Sequence, residues 1–70
     1  MPHIDITMIP GRDDTAKKEL AVKIQRFVAD ELGIDKEFIS VSIEDIAKEN
    51  WNEHIENLRD KKMFIHPINA

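Results

Sequence analysis

Two stretches of period-two alternation, separated by one long helical pattern, constrain this chain more than any other feature. Residues 3–8, His3-Ile4-Asp5-Ile6-Thr7-Met8, alternate polar and apolar. That is a half-buried strand with Ile4, Ile6 and Met8 facing inward. Pro10-Gly11 stops it, because proline has no N–H to give to a ladder and the pair favours a turn. Asp13-Asp14-Thr15 then offers capping oxygens and negative charge for a helix start. Leu20, Ile24, Phe27, Val28 and Leu32 recur at helical spacing, and Gly33 suits the left-handed conformation that ends helices. The spacing predicts one helix over about 14–32. After Asp35-Lys36-Glu37 a second alternation sets Ile39, Val41 and Ile43 on one side and Ser40, Ser42 and Glu44 on the other.

Strand, long helix, strand is a βαβ unit of the α/β class, with parallel strands and a right-handed crossover expected. The polar alternate positions imply that the second face of the sheet is not fully covered within one subunit. Two strands and one helix enclose no core, since a two-stranded sheet is marginal in water. Seventy residues make a single domain, 1–70. A domain of that size buries only about 60% of the surface its unfolded chain exposes. The chain has no cysteine, so neither a disulfide nor a thiolate zinc site can compensate. Oligomerisation remains. The missing strands are expected from another copy.

Further on, Trp51, Ile55 and Leu58 stand at i, i+4 and i+7, which predicts a short amphipathic helix at about 50–60. Met63-Phe64-Ile65 reads either as a short strand or as an apolar tail lying on a neighbouring subunit. Residues 66–70 are expected to be irregular.

Charge narrows the function classes. Fourteen acidic residues against ten basic ones give a net charge of −4, without the basic stripe of a nucleic-acid module. Lys17, Lys18, Lys23, Arg26, Lys61 and Lys62 are interspersed with acids and read as solvated helix surface. No apolar run approaches the roughly 20 residues of a membrane span, and no signal-peptide core follows Met1. A cytoplasmic protein that engages neither membrane nor nucleic acid is expected. His3, His54 and His66 lack metal-ligand spacing, so no metal is expected.

Pro2 admits two readings. A proline near a chain end can simply open an edge strand. Alternatively, removal of Met1, favoured before a small second residue, leaves a free secondary amine. The order of features bears on the choice: Pro2 opening a strand, Gly11-Arg12 after it, a long helix, a second strand, and Trp51 shortly beyond. This order resembles the 4-oxalocrotonate tautomerase branch of the tautomerase superfamily. The resemblance runs without gaps up to Trp51. The Pro-His-Ile-Asp-Ile opening and the tryptophan-started C-terminal helix are most similar to bacterial phenylpyruvate-type tautomerases.

The resemblance implies a cofactor-independent isomerase that interconverts keto and enol forms of a 2-oxo acid. Pro2 matches the family's catalytic proline, a general base and then a general acid. Arg12 matches the arginine that holds a substrate carboxylate, and Trp51 stands where an aromatic residue dries the pocket around the proline. Ser40 occupies the second-strand position at which dicarboxylate-processing members carry an arginine. That departure disfavours 4-oxalocrotonate and favours a monocarboxylate. The family assembles as homodimers or as hexamers built from three dimers, with two protomers joining their sheets into four strands and helices on one face. The Trp51 helix, in place of a C-terminal hairpin, points to the dimer.

The chemistry suits these residues. A catalyst that accepts a proton and returns it needs a pKa near working pH. An α-amino group titrates at about 8, and a proline amine is more basic. Burial beside Trp51 and a nearby Arg12 would both disfavour the ammonium and lower that value. Arg12 offers bidentate geometry to a carboxylate and stabilises the developing enolate. Plainer readings stand beside these: Arg12 as a surface charge, Trp51 as core, Ser40 as a solvated strand residue. Two other functions remain open at this level, a hydrolytic dehalogenase or hydratase using Glu53 to activate water, and a non-catalytic oligomeric scaffold.

Overall fold

The computed structural model of the chain describes residues 1–59 and 62–68. Strand β1 spans His3–Met8, helix α1 Asp14–Leu32, strand β2 Ser40–Asp45 and helix α2 Trp51–Arg59. Single 3-10 turns at Lys36–Phe38 and Lys48–Asn50 lead into β2 and α2. β1 and β2 pair in parallel, with His3 opposite Ser40 and Met8 opposite Asp45. This is the expected βαβ unit followed by a C-terminal helix. Residue 60, the last of the expected second helix, and residues 69–70 of the expected irregular end lie outside the described residues.

The ends of α1 are fixed by local chemistry. The Asp13 carboxylate accepts a hydrogen bond from the Ala16 N–H at 2.9 Å, satisfying one of the helix's free donors. Gly33 closes the helix at φ 66°, a left-handed conformation that costs a glycine nothing in Cβ contacts. At the helix start, Lys17 Nζ pairs with Asp45 Oδ2 at 2.8 Å and ties the first turn of α1 to the end of β2.

α1 packs over the face of the sheet that carries Ile4, Ile6, Val41 and Ile43. The helix face that turns inward is Leu20, Ala21, Ile24, Gln25, Val28 and Ala29. Gln25 sits in this stripe because its amide donates to the carbonyls of Lys36 at 2.8 Å and Ile39 at 3.0 Å, holding the entry to β2 against the helix. Phe27 and Leu32, which the apolar repeat assigns to this face, lie off it, 62% and 55% exposed. The small residues Ala21 and Ala29 allow the helix to approach the sheet along a stripe rotated away from both. Only Ala29 and Ile39 are buried hydrophobics among the described residues, so the protomer has barely a core.

Residues 63–65 form no strand. Phe64 and Ile65 are almost wholly exposed, and no neighbouring strand among the described residues offers them a ladder, without which an extended segment gains little. The opposite, polar face of the sheet is partly covered by α2, whose His54 Nε2 meets Thr7 Oγ1 at 2.9 Å.

Candidate active site

Pro2 lies half-buried immediately before β1. Its carbonyl accepts a hydrogen bond from the Ser40 N–H at 3.3 Å, so the first residue of β2 holds Pro2 in line with the ladder. The fold thus brings two of the four expected site residues, Pro2 and Ser40, to one end of the sheet. Both are positioned by the parallel register rather than by loops.

Arg12 is elsewhere. It follows Pro10-Gly11 beyond the far end of β1, and six strand residues put about 17 Å between the two ends. Its side chain is exposed. Gly11 adopts φ 147°, a conformation open chiefly to glycine, as the chain turns towards α1. Trp51 opens α2, its ring 5.8 Å from that of His54 and tilted by 44°. It lines a groove of ≈ 240 Å³ with Ile55, Arg59, Pro67 and Ile68, which contains none of Pro2, Arg12 and Ser40. Glu53 is exposed and borders a different groove, with Asp45, Asn50 and His54, at the end of β2 opposite Pro2. One chain therefore presents the proline and the arginine at opposite ends of the same strand.

Polar residues of both strands form a connected network on the outer sheet face. His3 spans both serines of β2, Nδ1 to Ser40 Oγ at 2.6 Å and Nε2 to Ser42 Oγ at 2.9 Å. The Ser42 hydroxyl donates to Asp5 Oδ1 at 2.6 Å. That hydrogen bond, together with one from the neighbouring Glu44 carboxyl, holds Asp5 below the usual carboxylate range, with His3 and His54 adding positive charge nearby. The same partnership pushes Glu44 up: its hydrogen bond to Asp5 and the Asp5 charge both favour its protonated form. The signal for this network was present in the alternation. In parallel register, His3, Asp5 and Thr7 share a face with Ser40, Ser42 and Glu44. Among the described residues, no group of three or more His, Asp or Glu side chains is arranged to hold a metal ion.

Comparison with known proteins shows the family. The family model described as tautomerase enzyme matches residues 2–59, beginning at the proline itself. The chain belongs to the tautomerase family. A probable tautomerase of Xylella fastidiosa is 34% identical over 55 residues, covering 79% of this chain and 67% of that one. A probable tautomerase of Bacillus cereus is 34% identical over 61 residues, 87% of this chain and the whole of the other. A 2-hydroxymuconate tautomerase of Comamonas testosteroni is 35% identical over 51 residues, 73% of this chain and 81% of that protein. The activity class is accordingly that of a tautomerase-type isomerase. Membership in this family implies a small-molecule substrate and, typically, an oligomer. No helix of the described residues is long and apolar enough to cross a membrane.

Proposed function

We propose that this tautomerase interconverts the keto and enol forms of a monocarboxylate 2-oxo acid without a cofactor, using the Pro2 amine exposed by Met1 removal. The observation that carries the reading is the placement of Pro2: half-buried at the mouth of the sheet, with its carbonyl fixed by Ser40. A base that must take a proton from the enol oxygen and return one to carbon needs a fixed nitrogen and restricted solvent. The deprotonated amine removes the enol O–H proton, the electron pair collapses to the C=O, and C3 takes a proton from the resulting ammonium.

Arg12 of a second copy would supply the carboxylate clamp, because Arg12 of the same chain stands at the wrong end of β1. Two protomers joining edge strands into a four-stranded sheet, with helices on one face, would bring the two ends together. The Trp51 groove would then border the site from the neighbouring chain. Ser40, where an arginine would hold a second carboxylate, fits a substrate with one. A cysteine-free chain of this kind suits the cytoplasm. No observation favours water activation by Glu53, which faces another groove. Pro2→Ala, prepared without its initiator methionine, is expected to lose about a hundredfold or more in kcat for phenylenolpyruvate ketonisation, with an unchanged circular dichroism spectrum. Full activity in that variant would refute the role given to Pro2.

A further inference from the structure

The hydroxyl protons of the His3 network can be assigned. Ser42 has one O–H, and it is committed to Asp5 Oδ1. Ser42 Oγ is therefore an acceptor towards His3, and His3 Nε2 must carry a proton to donate at 2.9 Å. This leaves Nδ1. In a neutral imidazole, Nδ1 has no proton and accepts from Ser40 O–H at 2.6 Å. In an imidazolium, Nδ1 donates, Ser40 Oγ accepts, and the Ser40 O–H turns outward.

His3 protonation thus decides what Ser40 shows to a ligand. With neutral His3, Ser40 offers lone pairs, which repel a carboxylate or enolate oxygen. With protonated His3, it offers a donor, backed by a positive charge one residue from Pro2 in sequence. We infer that His3 and Ser40 form a proton-switched anion-binding pair, a specificity-determining device that lets Ser40 hold an oxyanion of the substrate when His3 takes up one proton from solvent. The inference rests on the tautomerase reading of the site and deepens it. Binding leaves Pro2 untouched: one proton enters at His3, one hydrogen bond reverses, and the anion gains the Ser40 O–H.

Three titratable groups share this face with His3. Asp5, on its own strand, stays ionised and reaches the ring through Ser42. Glu44 of β2 faces Asp5. His54 of α2 meets the face at Thr7, farther along β1.

The test uses oxalate, an enolate analogue that cannot enolise and whose two ends offer a carboxylate to Arg12 and a second oxyanion to Ser40, and follows the His3 imidazole C–H resonances across pH in the free and ligand-saturated protein. By linkage, tighter binding to the protonated form raises the His3 midpoint in the complex. The expected upward shift is about one pH unit, equivalent to about tenfold tighter binding below the midpoint than above it. In Ser40→Ala, the ligand should still bind but the shift should largely vanish. A bound ligand with an unshifted His3 midpoint overturns the switch, as does a full shift in Ser40→Ala. No binding at millimolar ligand overturns the site itself. None of these results depends on turnover, so the activity of Pro2→Ala reports separately on the proposed base.

Discussion

Asp5 and Glu44 show how a single pair of side chains makes stability depend on pH in two opposed ways. Asp5 titrates below the usual range, chiefly because Ser42 hydrogen-bonds its charged form. Its contribution is present above the unfolded-state value and is lost as pH falls through its depressed one. Glu44 titrates above the usual range because Asp5 favours its protonated form. Its contribution is present at low pH and is lost as pH rises through its raised value. Both side chains are solvent-facing, so the effect is small. Glu44→Gln keeps an N–H donor for Asp5 and removes a charge. Carboxyl-carbon NMR titration should show Asp5 moving in this variant, and urea denaturation should lose the decline in stability that Glu44 ionisation causes as pH rises above the ordinary carboxylate range. An unchanged Asp5 titration would show that the two carboxyls do not interact.

At the scale of elements, α1 is the best-specified part of the chain. Its cap, its apolar repeat and its terminal glycine agree, and it runs over Asp14–Leu32 as the spacing predicts. Gly33→Ala is expected to destabilise the fold by about 1 kcal/mol in chemical denaturation, because alanine resists the left-handed conformation at φ 66°. No steric clash adds to that, since nothing lies within 4 Å of the position the alanine methyl would take. The strands were equally legible from their alternation, and the parallel pairing followed from the single long crossover. The face of α1 was less legible. Phe27 belongs to the hydrophobic repeat but not to the inward stripe, which uses alanines and Gln25 instead. Periodicity weights large apolar residues and overlooks an amide that caps two carbonyls. Residues 63–65 failed as a strand for a related reason: apolar composition supplies no partner for the ladder.

The whole molecule encloses little surface. Val22, Phe27, Leu32 and Phe38 are exposed on or near α1, and among the described residues both strands have an open edge. A chain with so little enclosed surface is expected to gain stability from association, and a protein stabilised by association unfolds more readily when diluted. The thermal midpoint is expected to fall by several degrees over a hundredfold dilution, with sedimentation reporting a dimer or larger species at high concentration. A monomer with a concentration-independent midpoint would contradict this. The proposed second copy also explains what the sequence left unread in the site. Pro2 and Ser40 converge because the register of one sheet places them together. Arg12 and Trp51 are identifiable by their order along the chain, but within one chain the fold leaves both away from Pro2, and the proposed site joins them only through a second copy, which no local pattern encodes.

The central claim is that a free Pro2 amine does the chemistry, and chain-end chemistry tests it without altering a side chain. Two preparations, one beginning at Pro2 and one retaining Met1, with their termini verified by intact mass, would be compared in phenylenolpyruvate ketonisation. Retained Met1 converts the Pro2 nitrogen to an amide with no basicity. Activity confined to the Pro2-started protein is the predicted result; equal activity in both would contradict the account.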